Sequence, residues 1–263
     1  MLLPRLFSLL FAILLFSCSG HKNERELGSM PPAFTGHFKA IAGEKLHYRA
    51  RMGFITLGEL DLQVSENPDS ASGRQAWIIR ADGASASGFS WISTVEHHWE
   101  SRIDTANGIS LFTRRRAREN RYRVHEEIRY LPDSNLIRVH NRKKGQIRLY
   151  PSSPANMQDL INLMWKLRYS DFDSHRAGDT LNYSGFHDGE WLAFRLCYAG
   201  KKYLGRGKNE KEVYELFPIG LATTFLRGEN PARIWIETAA QRRPIRAKLE
   251  SYFGNFQVDL VEK

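Results

Sequence analysis

The chain has 263 residues, of which 42% are hydrophobic and 12% aromatic, which excludes a disordered polymer and provides for a folded core. Only two cysteines are present, Cys18 and Cys197, so a disulfide-stapled scaffold is excluded and stability must come from burial. The formal net charge is +9, and nearly all of it is local: between Arg114 and Arg148, twelve Arg or Lys stand against four Asp or Glu.

The N-terminus reads as an export signal. Arg5 precedes an apolar run from Leu6 to Phe16, and Ser17-Cys18 follows. A basic start, a short apolar stretch and a small residue at the cut site make a secretory signal peptide. With cysteine just after the cut, the pattern resembles the lipobox of bacterial lipoproteins, in which the thiol is acylated. An eleven-residue helix covers only ~17 Å, short of the ~30 Å hydrocarbon core. Residues 1–17 are therefore expected to be removed and Cys18 to carry lipid. Residues 18–37, polar and then marked by Pro31-Pro32 and Gly36, read as a tether. Residues 38–263 are expected to form a single β domain.

Period-two alternation begins at once. Leu46, Tyr48, Ala50 and Met52 share one side of a strand and Lys45, His47, Arg49 and Arg51 the other. Leu60, Leu62 and Val64 repeat the pattern, with Gly53 and Gly58 where a hairpin or bulge wants glycine. A third strand starts at Trp77. Val95, His97, Trp99 and Ile103 alternate with Glu96, His98, Glu100 and Arg102, and Tyr122 to Tyr130 alternate with Arg121, Arg123, Glu127 and Arg129. Turns at Pro132–Asn135 and Lys143–Gly145 bound strands at 136–140 and 147–150. Later strands are predicted at 180–185, 190–199, 211–217, 232–238 and 244–260. One segment has helical spacing instead: Met157, Leu160, Ile161, Met164 and Leu167, with Ser153 or Asn156 as cap. The expected fold is mainly β, one curved and mostly antiparallel sheet, open or a partial barrel, around a single central helix.

No catalytic motif emerges. His125-Glu126 lacks the second histidine four residues on, and its segment alternates like a strand. His97 and His98 point to opposite faces of a strand, so they cannot chelate one metal together. His98 is expected toward solvent, and His97 hydrogen-bonded and partly buried. The glycines of Gly205-Arg206-Gly207-Lys208 lack phosphate-loop spacing and read as an exposed turn. Cys197, between Leu196 and Tyr198, is expected to be a small core residue. No catalytic residue, metal or cofactor is assigned. Arg114-Arg115-Arg116-Ala117-Arg118 cannot all lie on one face, whereas Arg121, Arg123 and Arg129 share parity. These three are the expected contacts for an acidic lipid or polysaccharide. Nucleic acid is not an expected partner, because export removes the chain from it.

Gly43-Glu44-Lys45-Leu46-His47-Tyr48, Gly58-Glu59-Leu60, the Val95–Asp104 strand with Leu111-Phe112, and Asp159-Leu160 before the helix ending Lys166-Leu167-Arg168 occur in an order that resembles a known family. Gly178-Asp179, Arg233-Ile234-Trp235-Ile236 and Arg243-Pro244-Ile245 extend the likeness over most of residues 38–258. The family is the bacterial envelope family catalogued as domain of unknown function 3108. Its Pro-x-Gly-x-Phe/Tyr element is replaced here by Lys208-Asn209-Glu210-Lys211. The resemblance implies export and a curved sheet around a helix, and no activity.

These readings converge on a non-enzymatic lipoprotein of the bacterial cell envelope. It would be held to a membrane by its N-terminal lipid, and would bind or scaffold a lipid, glycan or other envelope component. The alternatives are an envelope enzyme with an unadvertised carboxylate or histidine site, and a structural subunit of an envelope complex.

Overall fold

The computed structural model describes residues 38–71, 73–88, 94–153, 157–220, 226–228, 230–252 and 254–262. Residues 1–37, with the signal peptide, Cys18 and the tether, lie outside the described residues. The strands are β1 (Lys45–Met52), β2 (Ile55–Val64), β3 (Asp69–Ala71), β4 (Arg74–Ser85), β5 (Val95–Asp104), β6 (Ser110–Glu119), β7 (Tyr122–Leu131), β8 (Leu136–Asn141), β9 (Gln146–Pro151), β10 (Thr180–His187), β11 (Glu190–Leu204), β12 (Lys211–Pro218), β13 (Ala232–Glu237), β14 (Pro244–Ser251) and β15 (Gly254–Leu260). Helix α1 (Leu160–Arg168) lies between β9 and β10 in the chain.

All the strands belong to one antiparallel sheet, in the order β10-β11-β12-β13-β14-β15-β1-β2-β4-β5-β6-β7-β8-β9, with β3 beside β4. β1 pairs with both β2 and β15, so the first and last described strands meet at the middle of the sheet. The predicted alternation holds: Leu46, Tyr48 and Ala50 are buried, while His47 and Arg49 face out and pair with Asp61 and Glu59 on β2. Gly53 sits at φ +60° in the β1–β2 turn, and Gly58 faces Ala50 where the register slips by one residue. The stretch read as one strand over 244–260 is a hairpin, β14 and β15. Turn residues Tyr252 and Gly254, not alternation, mark its break.

α1 is shorter than its pattern suggested, and its cap differs. Asp159 is the N-cap and accepts from the Asn162 N–H at 2.9 Å; Ser153 lies well before it, and Asn156 is outside the described residues. Met157 and Gln158 precede the helix as a crossing segment, with the Met157 carbonyl bonded to Ser110 N–H and the Gln158 carbonyl to Phe186 N–H. Every residue of α1 is buried, polar ones included. Leu160, Leu163, Trp165 and Leu167 join Tyr48, Leu62, Ile79, Tyr183 and Tyr214 in the main core. At Gly185 a Cβ would lie 2.5 Å from a Leu163 methyl, so glycine permits the close approach of helix and β10.

Two polar members of α1, Asn162 and Arg168, have specific partners, while Asn162 Oδ1 and Trp165 Nε1 are buried without one among the described residues. Asn162 donates to the Gly108 carbonyl at 3.0 Å and to Ser110 Oγ at 3.1 Å. Arg168 grips Glu44 through two bonds of 2.8 and 2.6 Å and also donates to the carbonyls of Gln241 and Arg242. The end strands β9 and β10 share no ladder. Side chains bridge that seam: Tyr150 packs edge-on to Phe186 at 5.0 Å, and Phe186 to Trp191 at 5.1 Å.

Candidate functional site

The Arg114–Arg118 cluster is part of strand β6, and the strand resolves it. Arg114, Arg116 and Arg118 point outward, while Arg115 points inward and is buried. The ladders set rows across three strands: Glu96, Arg118 and Arg123 in one, His98, Arg116 and His125 in the next. Together with Lys143 from the β8–β9 turn they line an outer groove of about 480 Å³. Four permanent cations and two imidazoles thus surround one carboxylate, Glu96.

Neutralisation within the groove is incomplete. Glu96 and Asp82 are taken by His98, at 3.3 and 2.6 Å; the Asp82 hydrogen bond chiefly, then Glu96, raises the His98 pKa. Arg116, Arg118 and Lys143 form no ion pair among the described residues. Arg123 donates to the carbonyls of Asn120 and Tyr122. Partial burial and then the Arg116 charge lower the pKa of His125. One strand position further down, burial of Glu127 is outweighed by Arg142 and Arg114, which hold its carboxyl below the ordinary value.

The three arginines singled out from the sequence separate. Arg123 lines the groove. Arg121 is a correction: it lies in the turn before β7, exposed and off the strand face. Arg129 faces outward lower on β7, 5.6 Å over the Phe112 ring, with Arg102 and Arg114 over the same ring. Arg116, Arg118, Lys143 and His125 escaped the sequence reading. Parity along residues 110–119, masked by the run of like residues, could have found Arg116 and Arg118; His125 shares the parity of Arg123 on β7, and Lys143, in a turn, carried no such signal.

The inner face of the same strands carries a second ionisable cluster. His97 Nε2 meets Glu119 Oε1 at 2.7 Å, both buried. Arg115 lies over the Trp99 ring and contacts His187 Nε2 at 2.9 Å and Asp188 Oδ1 at 3.0 Å, pinning the β10–β11 turn. Burial, then the charges of Arg115 and His97, drive the His187 pKa well down. Glu126 faces Arg115 across the ladder. Burial raises its pKa against the opposing pull of Arg115, and its Oε2 has no hydrogen-bond partner among the described residues.

The histidines fall as expected, His98 outside and His97 buried. Gly205–Lys208 is an exposed turn. Cys197 is corrected: it is half-buried on the outward side of β11, between buried Leu196 and Tyr198. No group of three or more metal-ligating side chains occurs among the described residues.

The fold and its polar surfaces define a β-barrel-like protein built from an open sheet around a buried helix. The chain belongs to the family of proteins of unknown function DUF3108, whose sequence profile matches residues 47–261. A solved structure, the beta-barrel-like protein of domain of unknown function DUF1849 from Brucella abortus, is similar in fold with a TM-score of 0.54. The sequence identity is 10%, over 84% of this chain and 96% of that one. No curated protein matches the sequence.

Proposed function

We propose that this protein is a non-enzymatic lipoprotein of the bacterial cell envelope, held to a membrane by acyl chains on Cys18, that binds or scaffolds an acidic envelope component in the outer groove. The observation that carries this reading is the set Arg116, Arg118 and Lys143, charges without carboxylate partners in a concave site. Like charges held together repel, and an incoming anion relieves that repulsion. Guanidinium forks match phosphate and carboxylate oxygens in pairs, and a groove of this size suits one headgroup or a few sugar units.

The test is binding of a soluble acidic polysaccharide and of inorganic polyphosphate to the full-length Cys18→Ala chain. Affinity should fall steeply with salt, since exposed charges are screened over ~8–10 Å at physiological ionic strength. Arg116→Gln with Arg118→Gln should weaken binding at least tenfold and flatten that salt dependence. His125 adds a sign: an anion in the groove favours its protonated form, so affinity should rise as pH falls through its titration. No binding of either polymer at any salt rejects the reading.

An enzymatic reading draws on the inner cluster, where Glu126, with a pKa raised by burial, faces Arg115 across the ladder. It requires turnover of a glycan or peptide that Glu126→Gln abolishes.

A further inference from the structure

Antiparallel pairing puts the β1–β2, β6–β7, β8–β9 and β14–β15 turns at one end of the sheet, and the β5–β6 and β7–β8 turns with the start of β1 at the other. The first end, the upper rim, has an unusual combination of residues. Phe54 is 97% exposed, in a two-residue turn beyond the last ladder pair, Met52 and Ile55. Tyr252, 69% exposed, lies in the neighbouring turn, where Gly254 packs against Met52. Ile55 beside them and Tyr122 at the top of β7 are also exposed. Turn positions favour small polar residues, and at 97% exposure the Phe54 ring has almost no part in the protein's own packing.

The charges on the same rim are basic. Arg121, Lys143, Lys144 and Arg227 are exposed there. Of the acidic groups among the described residues there, Asp188 is engaged by Arg115 and Glu96 by His98, leaving Glu190. The opposite rim is mixed, exposing Glu66, Asp133 and Asp179 together with Arg176, Arg206 and Lys208. Among the described residues the upper rim therefore combines exposed aromatic tips with a cationic excess, whereas the lower rim carries both signs of charge.

We infer that the upper rim docks on an anionic lipid bilayer, with Phe54, Ile55 and Tyr252 entering the interface and the rim cations meeting the headgroups. Separate tips on a ring do not form a shaped socket for a protein partner. They suit a planar, deformable surface in which each tip finds its own depth. Aromatic side chains partition to the boundary between headgroups and acyl chains, and basic residues near it are attracted by anionic lipid. This surface is distinct from the outer groove and makes a different prediction.

The test uses the full-length Cys18→Ala chain, which removes the acyl anchor, and vesicles of phosphatidylcholine with or without phosphatidylglycerol. The parent should bind only the anionic vesicles. Phe54→Ser with Tyr252→Ser should reduce that binding about tenfold or more, the scale of one aromatic ring returned to water. The loss should persist at high salt, where the charge contribution is screened. A second readout guards against a misfolded variant. An environment-sensitive dye on Phe54→Cys, in the Cys18→Ala, Cys197→Ser background, should shift to the blue on vesicles, while the same dye on Tyr203→Cys, near the lower rim, should not. Unchanged binding by the aromatic variant, no vesicle binding by the parent, or equal dye responses at the two ends overturns the inference. If only the Arg116→Gln, Arg118→Gln variant loses vesicle binding, the groove is the binding surface and the rim is not.

Discussion

Lys166 is 5% exposed in the last turn of α1, and no carboxylate among the described residues pairs with it. Burial lowers its pKa from 10.5 to about 8. The folded state therefore binds this proton less tightly than the unfolded chain. Below pH about 8 both states are protonated and the full cost of a buried charge is present; between about 8 and 10.5 the folded state releases its proton first, and stability from this group rises with pH. Lys166→Met should stabilise the protein at neutral pH by about 1–3 kcal/mol, and the gain should shrink through that window. Denaturant titrations in neutral and alkaline buffer check this; parent and variant curves that differ by a constant amount contradict it. Arg168, two residues on, behaves oppositely. Its charge is fully buried but paired with Glu44 and two carbonyls, so removing it would strand a carboxylate.

α1 depends on Asp159 as much as on its apolar residues. The carboxylate caps the helix and also accepts from Ser101 Oγ at 2.5 Å on β5 and Thr113 Oγ1 at 2.7 Å on β6, tying the helix start to the sheet. Asp159→Ala removes a cap, worth about 1 kcal/mol, and orphans two buried hydroxyls, each costing about 1–3 kcal/mol. The expected loss is several kcal/mol, against under 1 kcal/mol for an exposed surface pair. A Tm within a few degrees of the parent would place the start of α1 outside the cooperative core. Ser153, Asn156 and Asp159 are all good cap residues by chemistry. What selects Asp159 is that Met157 and Gln158 are held extended by hydrogen bonds to β6 and β10, and the helix cannot begin until those bonds are made.

The sheet stays open between its end strands β9 and β10, which share no ladder. Between β9 and β10 the ring contact is Tyr150 on Phe186, with Trp191 of β11 behind it, and Arg115 of β6 reaches across to Asp188 in the β10–β11 turn. A seam of side chains has no backbone hydrogen bonds to resist local opening. Tyr150→Ala should therefore raise amide exchange in β9 and β10 while β1, β2 and β15 remain protected. Uniform acceleration across the sheet would show instead that the seam opens only with global unfolding.

Much of the element map is local information and was legible in the residues. Alternation of Leu46, Tyr48 and Ala50 against His47 and Arg49 specifies a strand with one wet face, because side chains on a strand alternate in direction. The apolar spacing of residues 157–167 specifies helix α1 for the same kind of reason. The outward basic face was partly legible: parity identified Arg123 and Arg129 as sharing a side, but it extended the strand to Arg121, where the backbone turns. Arg114–Arg118 gave no alternation to read, since its residues are alike in size and charge; only its ladder with β5 and β7 sends Arg115 inward and Arg116 outward. The inner cluster had no sequence signal. His97 and His187 are ninety residues apart, brought together because Arg115 holds the β10–β11 turn against β6. Local periodicity determines which side of a strand a residue takes, and the long-range folding of the sheet decides which residues meet there.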